Sequence, residues 1–152
     1  MNPIRNILVA TDFTEIGDHA LDYAIDVARQ TGATVTLVHA YEIPVYGFPS
    51  GAFVVPPDFA TRLMDVAQAS LTAAVEKRKD RGVKIESVLQ AGRPWEVIND
   101  TARVRACDLI VVGTHGRKGL SRALLGSIAE RVLRTATLPV LAVHMEAKPT
   151  GA

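Results

Sequence analysis

A doubly wound α/β domain built on a parallel sheet is the fold this sequence predicts, and three observations predict it. Short apolar runs of strand length alternate five times with longer stretches whose apolar residues recur at helical spacing. The short runs are apolar on consecutive residues, as strands buried on both faces are. The junctions carry capping residues, glycine or proline where a strand would enter a helix or a helix would stop. The expected architecture is a three-layer α/β/α sandwich in one domain, because 152 residues suit one sizeable core.

The elements follow in order. Residues 4–10 hold Ile7-Leu8-Val9-Ala10, a first buried strand. Thr14 can cap the next helix, and Glu15 and Asp18 complement its dipole. Ile16, Ala20, Ala24, Val27 and Ala28 share that helix's apolar side, and Gly32 closes it. Residues 34–40 are β-branched and apolar, a second strand. Residues 41–57 hold four prolines and two glycines and read as a long mobile loop; its aromatics Tyr46, Phe48 and Phe53 read as tacking it to the core. Residues 58–81 read as one long helix, with Phe59, Leu63, Val66, Ala67, Leu71 and Ala74 as its apolar stripe and Gly82 as its stop. Residues 84–90 are a third strand. Pro94 suits the first turn of a helix whose buried side is Trp95, Ile98 and Ala102. Residues 107–112 form a fourth strand. Residues 123–135 form a last helix with Leu125, Ile128 and Val132 inward, residues 138–143 a fifth strand, and 145–152 a tail.

The fourth strand runs into the stretch around which the chain is organised. Gly113, Gly116 and Gly126-Ser127 are spaced as G-x2-G-x9-G-S, with Arg117 and Lys118 between them. Glycine permits positive φ and close approach of a ligand to the main chain. A strand that turns through glycine into a helix leaves amide groups pointing outward, and these favour an anion, most often a phosphate. The arginine, lysine and serine add donors. The spacing is neither G-x4-G-K-[ST] nor G-x-G-x-x-G. In a parallel sheet, ligands bind at the carboxyl ends of strands where the strand order reverses. Asp12 follows the first strand and Gly113 ends the fourth. If these strands are neighbours, the carboxylate can accept from sugar hydroxyls while the glycine stretch holds phosphates.

Composition excludes other classes. Formal net charge is +1, which gives no basic face for nucleic acid. No apolar run reaches the length of a membrane span, and residues 1–5 do not read as a signal peptide. Cys107 is the sole cysteine, so no disulfide forms within the chain, and a reducing cytoplasm is expected. Cys107 reads as core packing. His19, His39 and His144 are scattered and form no recognisable metal cluster; His39, near the end of an apolar strand, reads as a satisfied core histidine.

The residues that carry these features resemble the universal stress protein family over residues 4–144. The carriers are Ile7-Leu8-Val9-Ala10-Thr11-Asp12, Leu37-Val38-His39-Ala40, Gly113-Thr114-His115-Gly116-Arg117, Gly126-Ser127-Ile128 and Pro139-Val140-Leu141. The G-x2-G-x9-G-[ST] pattern is similar to that of the family's ATP-binding branch. The resemblance implies a five-stranded parallel sheet in the order 3-2-1-4-5 and an adenine-nucleotide site. By position, Ala10, Thr11 and Ala40 would border the adenine, Asp12 would hold the ribose, and Val112 and Gly113 would lie against the nucleoside. His115, Gly116, Arg117, Gly126, Ser127 and Ile128 would surround the phosphates. ATP is the implied ligand, with Mg²⁺ carried by its phosphates and held mostly by water. A homodimer through the strand at 139–144 is implied as well, and it would cover an apolar sheet edge.

An ATP-binding regulatory protein with at most slow hydrolysis is the reading that fits best. His115 reads as a loop residue rather than a general base. Two alternatives stand beside it. One is an enzyme of the wider adenine-nucleotide α-hydrolase group, although neither S-G-G-x-D-S nor H-x-G-H occurs in the chain. The other is a protein-interaction module that ignores nucleotides. A receiver-type signalling domain is set aside, because it needs an acidic pair after the first strand and a lysine after the fifth.

Overall fold

A computed structural model of the chain describes residues 2–43, 45–49, 51–54, 56–114 and 125–145. Its main sheet contains β1 (Asn6–Ala10), β2 (Thr34–Tyr41), β5 (Ile85–Ala91), β6 (Leu109–Thr114) and β7 (Val140–His144). The spatial order is β5-β2-β1-β6-β7, and all four pairings are parallel. Counted within this sheet, that is the expected order 3-2-1-4-5. The helices are α1 (Glu15–Thr31), α2 (Pro57–Glu76), α3 (Pro94–Val104) and α4 (Ser127–Thr135).

The consecutive apolar residues of the strands divide between the two faces of the sheet. Ile7, Val9, Val35, Leu37, Leu109 and Val111 join α1 and Leu71 of α2 in one core. Leu8, Val38, Ile110 and Val112 join Val97, Ile98 and Ala102 of α3 and Ala129 and Val132 of α4 in the other. This is why the strands read as unbroken apolar runs rather than as alternating ones. The helix signals also act as expected at α1. The Gly17 amide donates to the Thr14 hydroxyl at 3.4 Å, and Gly32 ends the helix at φ 75°.

Four expectations are corrected. Residues 41–57 are not simply a loop: β3 (Val45–Phe48) and β4 (Gly51–Val54) pair antiparallel as a hairpin. The β-branched and aromatic residues on either side of the turn prevail over the prolines, which fall outside the two strands. The long helix stops at Glu76 and not at Arg81; a 3-10 turn at Lys79–Arg81 precedes Gly82. Just past the helix end, the Arg78 side chain turns inward, where it is 4% exposed and bound to α1. In the stripe of α2, Ala67 and Leu71 are buried, whereas Phe59, Leu63 and Val66 are exposed because the start of the helix does not reach the core. In α4, Ala129 and Val132 face inward, while Ile128 is 42% exposed. Leu125 packs against the core just before that helix, and residues 123 and 124 lie outside the described residues.

Candidate functional site

At the carboxyl ends of β1, β2 and β6 lies a cavity of about 420 Å³. The sheet order reverses between β1 and β6, and Val9 pairs with Val111 beside it. The crevice therefore lies where open α/β sheets seat their ligands. Ala10, Thr11 and Asp12 form one wall, Ala40 comes from β2, and Val112 and Gly113 from β6. Gly126, Ser127 and Ile128 close it from the start of α4. His115, Gly116 and Arg117 lie outside the described residues.

Right-handed βα crossovers bring the N-termini of the following helices to this end of the sheet. Ile16 and Gly17 of α1, Pro94 of α3 and Ser127 of α4 all line the cavity, so three positive helix ends converge there. In α4 the first backbone bond runs from Glu130 to the Gly126 carbonyl, and no side chain caps the helix. The amides of Ser127, Ile128 and Ala129 thus stand outside the helix's own hydrogen-bond pattern.

Asp12 is exposed, and its carboxylate is oriented by its own turn. Oδ1 accepts from the Thr14 amide at 3.0 Å and from the Thr14 hydroxyl. Thr11 continues the sheet ladder through its amide to Val38, and its hydroxyl accepts from the Phe13 amide at 3.0 Å.

The two described glycines of the motif do not use the positive φ that glycine permits. Neither Gly113 nor Gly126 has positive φ: Gly126 sits at φ −55°, and Gly113 is absent from the positive-φ residues. A Cβ on Gly113 would lie 2.6 Å from Ile16 Cγ2 and 3.0 Å from the Ile16 carbonyl oxygen. Gly113 therefore makes room for the first turn of α1. A Cβ on Gly17 would meet Thr11 Oγ1 at 3.0 Å and Asp12 Oδ1 at 3.1 Å. Helix, strand end and carboxylate turn are packed against one another along this wall.

Several lining residues escaped the sequence reading: Ile16, Gly17, Val38, His39, Pro94 and Ile98. His39 is only half-buried, so it is a satisfied histidine but not a core one; its Nδ1 lies 2.8 Å from the Thr11 carbonyl oxygen. The crossover rule could have placed Pro94, since every helix that follows a strand of a parallel sheet begins at this end. Cys107 packs in the core two residues before β6, and burial, aided by the neighbouring Asp108 charge, pushes its thiol up to about 11. Among the described residues no group of three His, Cys, Asp or Glu side chains could hold a metal ion, and no helix is long and apolar enough to cross a membrane.

Fold and crevice together define a doubly wound α/β protein with its cavity at the switch point. The universal stress protein family model matches residues 3–144, and the chain belongs to that family. It is 33% identical over 149 residues to a universal stress protein of Methanocaldococcus jannaschii, an alignment covering 97% of this chain and 86% of that one. A universal stress protein structure from Burkholderia pseudomallei is 28% identical, with a TM-score of 0.74, covering 94% of this chain and 98% of that chain. A universal stress protein solved in complex with cAMP is 26% identical, with a TM-score of 0.70 over 94% of this chain and 98% of the other.

Proposed function

We propose that this universal stress protein binds an adenine nucleotide, ATP in particular, in the switch-point cavity and acts as a dimeric regulatory protein with at most slow hydrolysis. The observation that carries this reading is the joining, in one cavity, of the Asp12 carboxylate with the uncapped first turn of α4 at Gly126 and Ser127. The cAMP complex of a relative supports an adenine nucleotide as the ligand class. In this reading the backbone at Ala10, Thr11 and Ala40 borders the adenine. Asp12 accepts from the ribose hydroxyls, Val112 and Gly113 lie against the nucleoside, and the amides of Ser127 and Ile128 meet the phosphates. His115, Gly116 and Arg117 would complete the phosphate site from the segment between β6 and α4. Mg²⁺ would arrive on the phosphates and keep most of its water.

Calorimetric titration of nucleotide-free protein with Mg-ATP, AMP and GTP tests the reading. Saturable ATP binding, with AMP and GTP weaker, is expected. Gly126→Leu provides the control. Its backbone, at φ −55° and ψ 151°, suits any residue, so the fold should persist while a side chain blocks the approach to phosphate. Heat released equally by wild type and Gly126→Leu would place the phosphates elsewhere. No binding by wild type would demote the cavity and favour the interaction-module reading.

A further inference from the structure

His39 is the point at which β2 grips the segment that carries Asp12. It lines the cavity together with Thr11 and Asp12. Its Nδ1 donates to the carbonyl oxygen of Thr11 at 2.8 Å, 28 residues away in sequence. A carbonyl only accepts, so Nδ1 carries the proton in this contact. The His39 ring also packs on Phe13, with ring centroids 4.3 Å apart and planes tilted by 36°. Phe13 stands at φ 62°, left-handed backbone that a side-chain-bearing residue adopts only when its surroundings impose it. One imidazole therefore holds the residue before Asp12 by its carbonyl and the residue after it by its ring. Between the two anchors, the Asp12 carboxylate is turned back onto Thr14 at 3.0 Å.

We propose that His39 is a positioning residue for ribose recognition: through Thr11 and Phe13 it fixes where the Asp12 carboxylate stands at the cavity, without itself needing to touch the nucleotide. The proposal rests on the nucleotide reading above. It assigns two separable functions to the ring, a donor at Nδ1 and an aromatic face. Asparagine places an amide nitrogen near the Nδ1 position and can keep the first; phenylalanine keeps the second.

The test is the ratio of affinities for Mg-ATP and Mg-2′-deoxy-ATP, measured by calorimetry on wild type, His39→Asn, His39→Phe and His39→Ala. Far-ultraviolet dichroism and thermal melts establish that each variant is folded. Wild type should prefer the ribose form about tenfold, the scale of one hydrogen bond to a charged acceptor. His39→Ala should reduce the preference to within about twofold, with deoxy-ATP, which keeps its 3′-hydroxyl, weakened less than ATP. His39→Asn and His39→Phe should each retain an intermediate preference. A merely structural histidine would weaken both nucleotides equally and leave the ratio intact, and that result overturns the proposal while the nucleotide site stands. Wild type that binds ATP without preferring it to the deoxy form removes the ribose contact and the proposal with it. Wild type that binds neither nucleotide overturns the nucleotide reading itself.

Discussion

Gly113 shows how a residue can be noticed in the sequence for one reason and required in the structure for another. It heads a glycine pattern that suggests phosphate, yet its missing side chain is filled by Ile16 at the start of α1. Alanine at this position would overlap both the Ile16 side chain and its carbonyl, and backbone cannot step aside as a side chain does. Gly113→Ala should therefore cost about 1–3 kcal/mol, as overpacking does, visible as a lower urea midpoint at unchanged slope. An unchanged midpoint would mean that α1 shifts freely along the sheet. Asp12 poses a different question, because its Oδ1 already serves the turn. Asp12→Asn keeps an oxygen for Thr14 and removes the charge. It should leave the melting temperature nearly unaltered and weaken ATP roughly tenfold or more, the scale of a charge-assisted hydrogen bond. Equal ATP affinity in calorimetry would move ribose recognition elsewhere.

Between elements, the contact least legible in the sequence is the one that ties the end of α2 to α1. The run from Glu76 to Arg81 is charged at every residue, with nothing local to show which side chain is buried. In the fold, Arg78 is buried and reaches Asp22 at 2.7 Å and Asp18 at 3.3 Å, while Arg81 reaches Asp22 at 3.2 Å and Asp26 at 2.9 Å. Pattern reading misses this because the partners lie more than fifty residues away and periodicity reports only local order. Burial pushes the Asp22 carboxyl up, but its hydrogen bond and charge pairing with Arg78, with Arg81 adding to them, outweigh burial and hold it below 3.8. A carboxyl lowered in the folded state stabilises fully above its ordinary value, and that contribution is lost as pH falls through the folded one. Arg78→Ala should cost about 2 kcal/mol at pH 7, below the range for fully buried pairs because Asp18 and Asp22 remain partly exposed. The gap between wild type and variant should narrow in urea unfolding as pH falls below 3.8 and through the lowered pKa of Asp22. A gap constant with pH would show that Arg78 acts through packing alone.

At the scale of the whole molecule, the parallel sheet was legible in the alternation of buried strands with helices, whereas its strand order came from the resemblance to the universal stress protein family. Asp12 and Gly113 share a crevice only if the first and fourth strands are neighbours, and the pairing of β1 with β6 meets that condition. His39 and the hairpin were not legible, since one depends on a contact across strands and the other on local pairing within a proline-rich segment. The two edges of the sheet differ in a way that bears on assembly. The β5 edge is guarded by charge: Glu86 is held by Lys84 at 2.9 Å and by Arg105 at 2.7 Å. The β7 edge, Val140-Leu141-Ala142-Val143, carries none. Ile110 donates to the Pro139 carbonyl in register with Val140. In a parallel ladder this turns the amides of Leu141 and Val143 toward β6 and leaves those of Val140 and Ala142 facing outward. A second copy that pairs through β7 would use these outward amides, whereas the fold within one chain does not. Proline is tolerated on an edge strand when its nitrogen faces away from the sheet. Ala142→Pro should thus leave the β6–β7 ladder standing and halve the mass in sedimentation velocity. A variant that sediments like a dimeric wild type would place the dimer contact on another surface, and a monomeric wild type would remove β7 as an assembly edge.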